Sequence, residues 1–123
     1  MLIDSRLLAL VCTDYDIVLF GGTTDSEGQI GVCINNTYAT ICDDFWDELD
    51  AQVVCRQIGL DNSGHAIATS GNIALTMLPA LDRVRCLGNE SSISACLIDY
   101  GPGCDINEGA GVICQNSGIF ICY

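Results

Sequence analysis

Two kinds of side chain in this sequence could do chemistry: nine cysteines and sixteen carboxylates in 123 residues. Thiols at that density act as staples only where disulfides persist. They point to a secreted protein or to the outer face of a membrane protein. The odd count leaves at least one cysteine free, bonded to another chain, or separated from its partner. Carboxylates borne on loops supply the oxygen ligands that hard cations such as Ca²⁺ and Mg²⁺ require. Catalytic groups are scarce. The one histidine, His65, lies in a Gly/Ser-rich stretch, and no Ser-His-Asp order or phosphate-cradling loop accompanies it. Cysteines held in disulfides are not nucleophiles. Without a Cys-x-x-Cys or a second histidine, zinc is not expected either. No enzyme is expected in this segment.

Charge narrows the partners. Four arginines and no lysine against the sixteen acids give a formal charge of −12. Nucleic-acid binders need basic stripes that displace counterions, and anionic lipid needs the same sign, so neither is an expected partner. Basic partners and bound cations remain compatible with this charge. The longest apolar run, Leu7 to Cys12, falls far below the roughly 18 residues of a membrane span, so direct membrane insertion is not expected. It is also short for the apolar core of an export signal, and Asp4-Ser5-Arg6 separates it from Met1-Leu2-Ile3. An extracellular cysteine pattern without an evident leader suggests a piece of a larger modular protein, with neighbouring domains.

The elements that would position these groups are legible. Asp16 to Phe20 reads as a strand closed by Gly21-Gly22, and Gln29 to Ile34 as a second. Asn35-Asn36 tolerates positive φ and suits a hairpin tip, with Thr37 to Ile41 returning. A helix from about Glu48 to Ile58 follows, with Asp47 as N-cap, Asp50 at the third helical position and Gly59 past its end. Ala51, Val54, Cys55 and Ile58 share its apolar face, whereas Gln52 and Arg56 point outward. Further on we expect a brief strand near His65 to Ala68 and another from Ala80 to Arg85. A short helix opens at Glu90-Ser91-Ser92, with Ile93, Cys96 and Leu97 on one face. Tyr100 to Asn107 reads as loop, and Gly111 to Cys114 as a final strand. The class is α+β: a small curved antiparallel sheet cradling one main helix and one short helix, stapled by disulfides. The domain covers 16–114, between an N-terminal tail, 1–15, and a C-terminal tail, 115–123.

Cys42-Asp43-Asp44-Phe45-Trp46-Asp47, followed by Asp50-Ala51-Gln52-Val53-Val54-Cys55-Arg56-Gln57-Ile58-Gly59, resembles the scavenger receptor cysteine-rich (SRCR) domain. Gly21-Gly22, Leu81-Asp82, Val84-Arg85-Cys86, Gly88 to Ser92 and Ala110 to Cys114 carry the resemblance across nearly the whole chain. It implies an extracellular, non-enzymatic binding module recognising protein or microbial-surface ligands. A structural spacer with no ligand of its own, within a larger secreted or membrane protein, is the alternative. The family has eight- and six-cysteine patterns, and here Ser26 and Leu60 stand where the optional bridge would be. The six-cysteine type implies Cys42–Cys104, Cys55–Cys114 and Cys86–Cys96. Spacing alone cannot choose among fifteen connectivities. Three cysteines remain. Ala9-Leu10-Val11-Cys12 is similar to the end of a preceding repeat, so Cys12 is expected as a free thiol or an intermolecular bridge. Cys33 replaces an outward-facing aromatic, and a Cys33–Cys122 bridge is one option.

The resemblance also implies a cation site for Ca²⁺ or Mg²⁺ at Asp43, Asp44 and Glu108. A second, weaker site would use Asp82, but Gly103 stands where an asparagine ligand would be. The competing role for Asp43-Asp44 is a pair of turn acids satisfied by backbone amides. Arg83 and Arg85, two apart on a strand, project from one face and are candidate ligand contacts; local ion pairs to Asp82 or Glu90 are the simpler reading. Asn35-Asn36-Thr37 and Asn89-Glu90-Ser91 are glycosylation acceptors. The family's Trp-containing hairpin becomes Asn36-Thr37-Tyr38-Ala39-Thr40, and its second-helix Trp is Ser94.

Overall fold

The computed structural model describes residues 12–60, 66–71, 79–101 and 108–114. Strands β1 (Ile17–Gly21) and β2 (Glu27–Ile34) form the first hairpin, and β3 (Thr37–Ile41) the second. The first turn demands glycine: a Cβ on Gly22 would lie 2.2 Å from the Glu27 carbonyl oxygen. Asn35 and Asn36 turn the second hairpin with φ of 56° and 64°, the left-handed pair that a tight two-residue turn needs. Helix α1 (Glu48–Gln57) follows, then β4 (Ala66–Gly71), β5 (Pro79–Arg85), a 3₁₀ turn (Ile93–Ala95), β6 (Leu97–Tyr100) and β7 (Gly109–Cys114).

The strands run in the order β4-β7-β2-β3-β5-β6, with β1 beside β2. One edge of β2 pairs with β1 along its length. The other edge is divided, Glu27 to Gln29 facing β7 and Gly31 to Ile34 facing β3. A strand with three neighbours bends the sheet into a half-barrel. Every pairing is antiparallel except β3 with β5, which is parallel. A parallel pair needs a long crossover, and here that crossover carries α1. The sheet is therefore mixed rather than wholly antiparallel. Ile30, Val32, Ile41, Leu81, Val84, Ile93 and Val112 are fully buried inside the curl, and Ala51, Val53 and Val54 of α1 fill it. Gly59 takes φ +83° just past the helix, as a chain reversal there requires.

Two expectations are corrected. The second helix is only a 3₁₀ turn capped by Ser92, whose hydroxyl accepts from the Ser94 N–H. The chain then becomes β6, because the edge of β5 offers a ladder: Arg85 faces Leu97, Val84 faces Ile98 and Arg83 faces Asp99. Leu97 consequently points to solvent, 68% exposed, instead of sharing a core face with Ile93. Gln52 and Arg56, expected to look outward, are half-buried. The Arg56 guanidinium donates to the carbonyls of Gly88 (3.0 Å) and Glu90 (2.7 Å), fastening the loop before the 3₁₀ turn.

The cysteines hold the ends of these elements. Cys55–Cys114 ties α1 to β7, and Cys86–Cys96 ties the end of β5 to the start of β6, the two bridges that the resemblance implied. Cys42 is disulfide-bonded; its expected partner, Cys104, lies outside the described residues. Cys12 is neither a free thiol nor an intermolecular link. It pairs with Cys33, which rules out Cys33–Cys122, and Cys33 is fully buried rather than outward. The physical reason lies in the segment before β1. Tyr15 donates its N–H to the Cys33 carbonyl (2.7 Å), Cys33 donates back to the Asp16 carbonyl (2.8 Å), and Asp14 Oδ1 accepts from the Asn35 N–H (2.9 Å). The chain is thus strapped alongside the end of β2 before the sulfurs meet. The Gln57 side chain adds a clamp, donating to the Tyr15 carbonyl and accepting from the Ile93 N–H.

Replacing both Cys12 and Cys33 by serine opens a 21-residue separation. It should cost about 2–3 kcal/mol, the chain-entropy value less relaxation, while the other bridges stay intact. Urea unfolding of parent and variant under non-reducing conditions measures it. No loss would mean that the backbone strap holds by itself.

Candidate functional site

The segments that carry Asp43, Asp44 and Glu108 meet where β3 ends beside the start of β7. Cys42 pairs with Gly109 across this junction. One residue further, the Asp43 N–H donates to the Glu108 carbonyl at 2.9 Å. Residues 65 apart in sequence are therefore backbone neighbours. Trp46 locks the turn between them and α1. Its N–H donates to the Asp43 carbonyl (3.0 Å), and its indole Nε1 donates to the Gly111 carbonyl (2.9 Å). A cleft of about 160 Å³ lined by Asp43, Trp46, Ala68 and Thr69 opens beside the junction. Asp43 and Glu108 are half-buried, and Asp44 is exposed.

The carboxylate oxygens themselves are not drawn to ligand distance. Among the described residues, the one group of three donor atoms within 4.8 Å is Cys86, Glu90 and Cys96. Its two sulfurs are bonded to each other, so it is no metal centre. The Asp43, Asp44 and Glu108 set nevertheless fits a hard cation by donor chemistry, being all oxygen and all anionic. Asp82 is half-buried on β5 beside Gly101. Its counterpart position, Gly103, lies outside the described residues, as does His65.

Asp50 was legible as a helix-start acid, but its burial was not. It is 1% exposed, and its two oxygens accept from the Asp47 N–H (2.9 Å) and the Cys86 N–H (2.7 Å). Asp47 in turn accepts from the N–H groups of Leu49 and Asp50, completing a reciprocal cap. Burial pushes the Asp50 carboxyl up to about 7 against the pull of its backbone donors. Glu90 goes the other way. The Leu87 N–H, with that of Gly88, donates to its carboxylate and lowers its pKa. Tyr100 is raised to about 12, chiefly by its hydrogen bond with the Tyr15 hydroxyl and then by desolvation.

Arg83 and Arg85 lie on the outer face of β5, as expected. Their counter-ion is neither Asp82 nor Glu90. Both face Asp99 of β6, at 3.4 and 4.0 Å. Asp99 was hidden because β6 itself was not legible. The Arg83 guanidinium also covers the Phe45 ring, 5.4 Å from its centre. Asn35 and Asn89, the glycosylation acceptors, are both exposed.

A half-barrel curled around one helix, with these cysteine bridges, defines a small extracellular cysteine-stapled module. The model for the scavenger receptor cysteine-rich domain matches residues 20–115, and this chain belongs to that family. It is 34% identical over 108 residues to rat galectin-3-binding protein, covering 84% of this chain and 18% of that protein. It is 38% identical over 99 residues to human lysyl oxidase homolog 2, covering 79% and 13%. The chain thus spans less than a fifth of these relatives. Among solved structures, the third SRCR domain of murine neurotrypsin superposes with a TM-score of 0.68 at 34% identity, covering 80% of this chain and 94% of that one. The SRCR domain of mouse MARCO gives 0.65 at 33% identity, covering 94% of this chain and all of its own. The SRCR domain is a non-catalytic, extracellular module of receptors and of larger modular proteins. No helix among the described residues is long and apolar enough to cross a membrane.

Proposed function

We infer that this domain binds protein or microbial-surface ligands with help from a divalent cation, Ca²⁺ or Mg²⁺, held by Asp43, Asp44 and Glu108. The observation that carries the reading is the Asp43 N–H to Glu108 carbonyl bond. It sets the backbones that carry Asp43 and Glu108, from two distant segments, side by side, in a chain whose formal charge is already −12. Converging anions repel, and a cation relieves that repulsion. The side chains must still close on the ion, which predicts weak binding of the kind extracellular modules show, at about 10⁻⁴–10⁻³ M.

Calcium at about ten times such a dissociation constant stabilises by about 1.4 kcal/mol through mass action. That should raise the melting temperature by about 4–8 °C. Asp44→Ala should abolish the shift and leave the disulfides intact. Asp44 is exposed, so the variant should otherwise melt like the parent. Calorimetry showing the same calcium heat in the parent and in a triple-alanine variant of Asp43, Asp44 and Glu108 would rule the site out. The alternative reading, a structural spacer in a larger protein, would then take the lead.

A further inference from the structure

The loop after β5 is pinned at every turn. Cys86 at its start is bridged to Cys96. The N–H groups of Leu87 and Gly88 both donate to the Glu90 carboxylate, each at 2.9 Å. The Arg56 guanidinium grips the carbonyls on either side of Asn89, those of Gly88 and Glu90. Asn89 is therefore presented at a fixed place. It is exposed, and so is Ser91, the third residue of the Asn89-Glu90-Ser91 acceptor. Two residues back, Leu87 is 80% exposed. Leu49 of α1, 44% exposed, reaches the residue between them: a Cβ on Gly88 would lie 2.8 Å from its Cδ2. Leucines from two elements thus flank the backbone immediately before the acceptor. The other acceptor has no such surroundings, since Ile34 and Tyr38 beside the Asn35 turn are half-buried.

We propose that Asn89 carries an N-linked glycan whose first sugars lie over Leu87 and Leu49. The attachment takes place in the secretory pathway, where an extracellular module is made. The Asn89 amide nitrogen bonds to the anomeric carbon of an oligosaccharide carried on a lipid pyrophosphate. The bond from that carbon to the pyrophosphate oxygen breaks, the lipid pyrophosphate leaves with the electron pair, and the amide gives up one proton. An N-acetylhexosamine is uncharged, so the −12 chain does not repel it as it would repel a second copy. Its ring offers a face of C–H groups, and covering the leucines with that face removes apolar surface from water. The pinned loop lowers the entropy cost of holding the sugar in one pose. None of this depends on the cation or on an external ligand.

The test uses the full chain secreted from cultured human cells behind an added leader. Peptide mapping after enzymatic glycan removal in heavy-oxygen water should find the label at Asn89. Hydroxyl-radical footprinting of the intact glycoprotein then reads the side chains. Because covered side chains lose solvent contact, oxidation of Leu87 and Leu49 should be at least about threefold lower than in Asn89→Gln or Ser91→Ala. Removing the glycan from the folded parent should raise it by the same factor, which separates covering from any effect of the substitutions on folding. Ile67, exposed on β4, should react alike in all samples, and Asn35→Gln should leave the leucines protected. An unmodified Asn89 in the secreted chain would overturn the proposal. So would a glycan at Asn89 that leaves both leucines as reactive as in the two variants. Protection that survives loss of the acceptor and rises with protein concentration would assign the patch to a second copy and overturn it as well.

Discussion

Val54→Asp is expected to remove most of the stability of the domain. Val54 is fully buried on the face of α1 that packs against β4 and β7. A carboxylate there has no partner and must either stay charged in the core or take up a proton, and it loses the valine contacts as well. The combined cost is about 4–5 kcal/mol, against a total of about 5–15 kcal/mol for a domain of this kind. Val54→Ala, which only leaves a cavity, should cost about 2 kcal/mol. Denaturant unfolding of the three proteins, disulfides intact, gives the series. If Val54→Asp unfolds at the parent's midpoint, the helix does not face the core as described.

Asp50→Ala should cost about 2–4 kcal/mol at pH 5, by a different route. It strands the Cys86 N–H and the Asp47 N–H, each a buried or half-buried donor whose lost partner costs about 1–3 kcal/mol, and it breaks the cap on α1. The penalty should shrink as pH rises. The folded carboxyl is pushed from 3.8 up to about 7, so between those values the folded state holds more proton than the unfolded state. Stability from this group is fully present below about pH 4 and is lost as pH climbs through 7. The expected decline is of order 2–4 kcal/mol. Asp50→Asn keeps an acceptor for Cys86 and cannot ionise, so it should cost less at pH 5 and flatten the slope. Comparing unfolding free energies at pH 5 and pH 8 isolates Asp50 from the general repulsion of the other acids, which all three proteins share. An identical slope in parent and Asp50→Asn would show that the carboxyl is not the titrating group.

Legibility followed range. Helix α1 was readable almost to the residue because its signals are local: a capping aspartate, an acid three residues on, a 3.6-residue apolar period and a closing glycine. The Asn35-Asn36 hairpin was readable for the same reason. Strand β6 was not, because four residues after a serine-rich turn carry no periodicity, and only the open edge of β5 makes them a strand. The same blind spot hid Asp99 and therefore misassigned the partners of Arg83 and Arg85. Cys12 was misread because its pairing depends on the strap from Asp14 to Asp16, whose hydrogen bonds reach Cys33 and Asn35 across the hairpin.

The residues alone determined the compartment, the family and which acids to watch, since cysteine count, charge and the motif from Cys42 to Gly59 are properties of the chain itself. Tertiary structure decided which of those groups meet. The three-way pairing of β2 curls the sheet until Asp43 reaches Glu108. Burial of the same helix cap that the sequence announced turns Asp50 from a surface acid into a protonatable core group. The parallel pairing of β3 and β5 sets Phe45 against Arg83. Each of these depends on where distant segments are packed, and desolvation and hydrogen bonding act only once that packing exists.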